Sequence, residues 1–339
     1  MLAKKRAQVK KIPAHKFVRN FLTWSPRSHS SRRAQVESHF SWIFVLVAGA
    51  VILAFFFSVV QKQRELSDQK LSISLVSDFE AIISSAAVAK GTTQILPIYN
   101  QELDFSCGTI CDCKMSVGGF SKPFRDKIIF APQQISGRNM ILWTLDWKDP
   151  FRIANFVYAS DDSTHYWFIG DSNTIKSYIP LDKLPASIKP TIVELPQQIT
   201  GDAKKNRVVF FKTVQSGDVD AIQNIAGVSA LWIKDNTNLE FRWGAALNKK
   251  LTTATYENLQ EKLLGAIFSE EGELYSCQAK EADSRKTTIT SIYTARAANL
   301  TGKTSADRGC DAWYRAVGSE TTFEEINQNL LQLSCPTIY

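Results

Sequence analysis

The chain has 339 residues, 44% of them hydrophobic and 22% charged, with 40 Lys and Arg against 33 Asp and Glu for a formal net charge of +7. This is ample apolar material for a core, in one large domain or two modest ones. The excess charge sits at one end: residues 1–39 carry ten Lys or Arg and a single acid, Glu37, whereas the remainder holds thirty bases against thirty-two acids. That distribution excludes a broadly basic, nucleic-acid-binding body and reads as a membrane-topology signal.

Within the basic tail, KFVRNFLTW places Phe17, Val18, Phe21 and Leu22 on one face of a short helix between Pro13 and Pro26. Such a basic amphipathic turn suits an anionic lipid surface. Residues 32–40 then read RRAQVESHF and lead into FSWIFVLVAGAVILAFFFSVV at residues 40–60, twenty-one positions without an ionisable side chain. At about 1.5 Å per residue this covers roughly 30 Å, the hydrocarbon thickness, and a buried helix of a soluble protein needs no such uniform apolarity. The preceding Lys and Arg put the N-terminus in the cytoplasm and residues 61–339 outside, as a single-pass protein of the cell membrane.

The junction resembles the processing site of archaeal type IV prepilins: a basic stretch, a small residue, Gln as the first mature residue, then a polar step into an apolar helix. The resemblance covers about thirty residues. It implies cleavage between Ala34 and Gln35 and association with other envelope or appendage subunits; the alternative is an uncleaved signal anchor. His39 stands where those prepilins usually carry an acid, with Glu37 two positions earlier.

Beyond the span, residues 61–90 keep a helical rhythm, with Leu71, Leu75, Phe79, Ile82 and Ala86 at threes and fours and Gly91 as a stop. The expectation is one helix through span and stalk, whose second half packs a stripe against the ectodomain. All six cysteines, Cys107, Cys111, Cys113, Cys277, Cys310 and Cys335, follow the span. An even set on the outer side is a disulfide pattern. Three lie early and three late, so full oxidation requires at least one bridge from the first group to the second. CGTICDC as a metal site is the weaker reading, because no CxxC pair or nearby His completes a zinc set; no metal or cofactor is expected.

The phrase PQQISG at residues 132–137 returns as PQQITG at residues 196–201. Each copy follows a strand-like run (KIIFA, TIVEL) and precedes another (MILWTLDW, VVFFKTV). Further along, Asp149-Pro150 before FRIAN and Asp218 before AIQNIA read as helix entries, followed by FVYAS and VSALWI, polar turns, then HYWFIG and LEFRWG. The pattern predicts two duplicated strand-helix-strand-strand units, residues 91–178 and 205–255, with residues 179–204 holding a proline-rich connector and the start of the second repeat. Residues 256–339 turn helical: Leu259, Leu263 and Ile267 share a face, residues 274–300 are long enough for another helix, and Thr322 with Glu325 forms a capping box. Asn299-Leu300-Thr301 is a glycosylation sequon. The fold class is therefore α+β: a long N-terminal transmembrane and stalk helix, a strand-rich ectodomain and a helical C-terminal region.

No catalytic residues are assigned. His165, in the aromatic run HYWF, is the single histidine of the ectodomain, and no nucleophile elbow, phosphate loop or zinc-protease motif occurs. The carboxylate pairs, Asp161 with Asp162 and Asp146 with Asp149, sit in turn and cap contexts. The sequence thus leads to a membrane-anchored envelope protein with a structural or adhesive, pilin-like role. The alternative is a membrane-tethered extracytoplasmic ligand-binding or sensor module, and third an extracytoplasmic hydrolase using carboxylates.

Overall fold

The computed structural model describes residues 34–339 apart from residues 90, 99, 100, 125, 236, 258, 304–308 and 319–321. The basic tail, with its expected amphipathic turn, lies outside the described residues. The chain divides into two units, residues 1–63 and residues 64–339. In the first, helix α1, Ala34–Val88, contains a stretch, Trp42–Arg64, long and apolar enough to cross a membrane, with its side chains exposed.

The second unit begins with the C-terminal half of α1. Its buried stripe is Val76, Phe79, Ile83 and Ala86, one position round from the expected Leu75 and Ile82, which are only partly buried. The stripe faces a small sheet formed by β2 (Leu103–Cys107), β3 (Cys113–Val117), β4 (Phe120–Pro123) and β6 (Gln134–Ile135), in the order β4-β3-β2-β6. A second sheet is ordered β1-β7-β8-β5, from β1 (Thr93–Pro97), β5 (Ile128–Phe130), β7 (Asn139–Lys148) and β8 (Arg152–Asp161). One face of it, with Met140, Leu142, Val157 and Ala159, joins the stalk stripe in one core. The other, with Ile141, Trp143, Phe156 and Tyr158, joins a larger core. Burial on both faces is why the central run of β8, Phe156 to Ala159, is apolar at successive positions instead of alternating.

That burial corrects one expectation. FRIAN does not form a helix after Asp149-Pro150: Asp149 N donates to Phe151 O at 2.9 Å, the Asp149–Pro150 peptide is cis, and β7 and β8 run antiparallel from Lys148↔Arg152 to Met140↔Asp161. Asp-Pro signals a turn as well as a helix entry. Here the pairing of β8 with both β7 and β5 decides between them, because it buries every residue from Ile153 to Asp161.

The third sheet has six strands in the order β10-β9-β11-β12-β13-β14: β9 (Thr164–Ile169), β10 (Thr191–Val193), β11 (Lys205–Phe210), β12 (Val228–Ile233), β13 (Asn238–Trp243) and β14 (Lys249–Thr255). The first four are mutually parallel, and β13 and β14 are antiparallel additions. Two of the three crossovers are helical, with α2 (Ser172–Tyr178) after β9 and α3 (Ser216–Ile222) after β11. Ile175 of α2 packs on the face that carries Val209 and Phe211, and Ile222 of α3 on the face that carries Val208 and Phe210. The helices thus cover opposite faces, and the strand order reverses between β9 and β11.

Helices α4 (Gln260–Phe268) and α5 (Gly272–Leu300) pack into the larger core. Cys310–Arg315 (α6) and Phe323–Gln332 (α7) form a satellite cluster with Ala297. Thr322 caps α7, its Oγ1 accepting from Glu325 N at 3.2 Å. Three disulfides join Cys107 to Cys113, Cys111 to Cys277 and Cys310 to Cys335.

The two copies of the repeated phrase are built differently. Gln134 and Ile135 of the first pair with β2 as strand β6, whereas Pro196–Gln198 of the second is a 3-10 turn. In that turn Gln198 Oε1 accepts from Glu194 N and Leu195 N, both at 3.0 Å. Asp218 acts from the third position of α3 and not as its cap: its Oδ2 accepts from Gln215 N at 2.9 Å.

Candidate functional site

Two concave sites stand out. The larger, of about 650 Å³, opens at the carboxyl ends of β11 and β12. The chain leaves β11 through Lys212, Thr213, Val214 and Gln215 before entering α3, and leaves β12 through Lys234; these segments form two walls. The third is the outer face of β13. Alternation along β13 turns Leu239, Phe241 and Trp243 into the large core and leaves Glu240 and Arg242 on the other side. In open α/β sheets ligands bind in crevices outside the carboxyl ends of the parallel strands; this cleft lies on the β12 side of β11, one strand pair beyond the reversal between β9 and β11.

The electrostatics of this cleft centre on Glu240, which is 2% exposed. Its Oε2 takes Lys234 Nζ at 2.8 Å, and its Oε1 takes Arg242 Nε at 3.0 Å and Lys250 Nζ at 3.3 Å. The sheet register assembles this group, pairing Glu240 with Trp232 and Arg242 with both Ala230 and Lys250. Burial alone raises the Glu240 carboxyl, but hydrogen bonds from Lys234 and Arg242 and the charges of Lys234 and Lys250 hold it below the usual carboxylate range. Arg242 also lies over the Trp232 ring, its Cζ 4.3 Å from the centroid. Lys212, on the opposite wall, donates to Glu194 O at 3.1 Å. Three cations around one buried carboxylate leave a surplus of positive charge, which Lys212 increases and Asp220 partly offsets.

The smaller site, of about 380 Å³, contains Asp161, Asp162 and His165. Both carboxylates are engaged. Asp161 Oδ1 accepts from Ser163 N at 3.0 Å, Ser163 Oγ at 2.8 Å and Thr164 Oγ1 at 2.7 Å; its Oδ2 accepts from Ser136 N at 3.0 Å and faces Lys205 Nζ at 3.4 Å. Asp162 takes Arg138 N at 3.2 Å and Asn139 Nδ2 at 2.8 Å. These bonds fix the corner where the chain leaves β8 in one sheet and enters β9 in another. Ser136 belongs to the first PQQISG phrase, so that phrase is a socket for the corner. Gly137, at φ 129°, admits Asp162 where a Cβ would sit 2.5 Å from its Oδ1. His165 stacks on Trp167 at 4.4 Å and hydrogen-bonds Thr191 Oγ1 at 2.8 Å. Burial lowers its pKa, partly countered by the charge of Asp202.

The remaining candidate positions are scattered. Asp149 binds Lys286 at 2.5 Å, and Asp146 pairs with Lys148 at 3.2 Å. The sulfurs of Cys107, Cys113 and Cys277 gather within 4.8 Å of one another, but as atoms of two disulfides. Asn299 is exposed in the last turn of α5, and Thr301 of its sequon donates to Ala297 O at 3.1 Å. Ala34 and Gln35 open α1. Sequence reading did not single out the larger cleft. The signal available was the β11-α3-β12 order, a parallel crossover, followed by a strand with two charges on its outer face.

No family model, no curated protein and no solved structure matches this chain.

Proposed function

We propose that the chain is a single-pass envelope protein that carries its disulfide-braced second unit outside the cell membrane and uses it to bind a ligand. The cleft at the carboxyl ends of β11 and β12 is the observation that carries the binding role, because it joins a volume suited to small molecules with fixed charged groups. The orientation draws on the basic tail, the apolar stretch Trp42–Arg64 and the placement of every cysteine beyond it. Native mass spectrometry of the full-length protein released from its own membranes tests the binding role. A small molecule that co-purifies and is lost in Gln223→Trp, which fills the cleft, is the expected result; its retention in that variant rejects the cleft as the site. For topology, a membrane-impermeant maleimide added to intact cells after a mild reductant labels the cysteines outside, whereas labelling only after lysis reverses the orientation.

A structural role in an appendage is the second reading. It is favoured by the prepilin resemblance and by the single helix α1, which contains both the apolar stretch and the stripe packed on the β2–β3 sheet. Edman sequencing of the mature chain decides: Gln35 at the N-terminus supports it, and an intact Met1 ends it.

A further inference from the structure

We infer that the cleft beside β13 recognises an oxyanion, a carboxylate or a phosphate ester on a small molecule, through the two terminal nitrogens of Arg242. The inference rests on the reading of this cleft as a ligand site and adds the chemical class. Arginine is the side chain whose planar fork matches two oxygens of a carboxylate or phosphate. A free arginine on a surface loses side-chain entropy when it grips a ligand; here that freedom is already removed. Glu240 takes Arg242 Nε at 3.0 Å, and the Trp232 ring lies against the guanidinium plane at 4.3 Å. Both contacts leave the outer edge of the fork unused, since among the described residues no hydrogen bond engages Nη1 or Nη2.

The surrounding charge points the same way. Glu240 cannot balance Arg242, Lys234 and Lys250 together. Lys234 is at the cleft wall and about half exposed, and Lys212 faces it from the β11 side. An anion entering here meets a bidentate donor with one lysine on each flank. Trp232 is 6% exposed and buried beneath the arginine, so it serves as a backing plate for the guanidinium and leaves no open ring for a sugar to stack on. The cavity of about 650 Å³ accommodates a small metabolite and is too small for a polymer chain lying along the sheet.

The test uses full-length protein in nanodiscs and titration calorimetry at constant ionic strength, with succinate, glycerol 3-phosphate and the neutral isostere succinamide as probes. One of the two anions is expected to bind saturably at one site, with succinamide silent. Arg242→Lys, which keeps a cation for Glu240 but removes the fork, is expected to weaken binding at least tenfold, as is Lys234→Gln on the exposed flank. Binding of neither anion, or equal affinity in wild type and both variants, overturns the inference. If the anions fail while a neutral molecule co-purifies and is lost in Gln223→Trp, the cleft remains a ligand site and only the oxyanion class falls; if nothing co-purifies either, both readings fall together.

Discussion

Three charged side chains show how single residues organise this molecule. Asp161, with no exposed side-chain surface, gathers two backbone amides, two hydroxyls and Lys205 at the corner between two sheets. Replacing it by Ala strands those donors, and a loss of about 3 kcal/mol or more in urea unfolding is expected. Arg207, 3% exposed, sends its nitrogens to the carbonyls of Ala266, Ile267 and Ser269 at 2.6–3.0 Å, closing the C-terminal end of α4. Burial brings its pKa down to about 10, and the charge of Glu270 counteracts this, so it stays cationic where the helix dipole favours a positive charge. Arg207→Lys cannot span three carbonyls and is expected to lower the melting temperature clearly, although it preserves charge. Glu240 makes the fold pH-sensitive. Its carboxyl is held below the ordinary value in the folded chain, so its contribution is present above the unfolded pKa near about 4.3 and disappears as pH falls through the folded one. The stability gap between wild type and Glu240→Gln should therefore be open at neutral pH and close on acidification below about pH 4; a gap that widens there contradicts the assignment.

Among the elements, α4 fits its neighbours most tightly. A Cβ on Gly265 would stand 2.8 Å from three atoms of the Phe130 ring, in a core where Phe130 has no exposure. Alanine is the better helix former by about 1 kcal/mol, yet overpacking of this kind costs about 1–3 kcal/mol. Gly265→Ala should therefore destabilise, as measured by chemical denaturation; a more stable variant would show that Phe130 yields without cost. Gln278 of α5 plays the complementary part, its Oε1 accepting from Ile129 N at 2.8 Å and so covering the open edge of β5. How far the elements were legible follows from where their signals lie. The helices α4, α5 and α7 announce themselves through periodicity, length and a cap, all local properties. The strands around the repeated phrase were legible through alternation and flanking turns. FRIAN differs from its expected helix because Asp-Pro before an apolar run fits two local structures, and the choice belongs to β5 and β7, which are distant in sequence or on the other side of the turn.

At the scale of the whole molecule, sequence gave the class, a long apolar helix followed by mixed strands and helices, but not the arrangement of sheets. Periodicity says which residues share a face and nothing about which strand lies beside which. The parallel neighbours β9, β11 and β12, and the cleft at the ends of β11 and β12, follow from that unseen order. Glu240 and Arg242 were visible as the polar side of an alternating strand; their convergence with Lys234 and Lys250 was not, because it depends on two strand registers at once. Cys111–Cys277 acts at this scale too. It spans 166 positions, and closing so long a loop in the unfolded chain stabilises the fold by about 5 kcal/mol in the chain-entropy account. Cys310–Cys335, spanning 25, is worth about 3–4 kcal/mol in the same account. Replacing Cys111 and Cys277 together by Ser should lower the denaturation midpoint more than replacing Cys310 and Cys335; the reverse order would mean that strain or residual structure outweighs loop length.

The same bond governs how this protein meets tension. Pulled between the apolar stretch of α1 and Tyr339, an oxidised chain cannot pay out the 166 positions between Cys111 and Cys277. Roughly 600 Å of slack, at about 3.5 Å per residue, stays locked away. That sequestered length holds β7, β8, β9, β11 and β12, so stretching would peel off the terminal helices and the stalk while the cleft, inside the closed ring, keeps its shape.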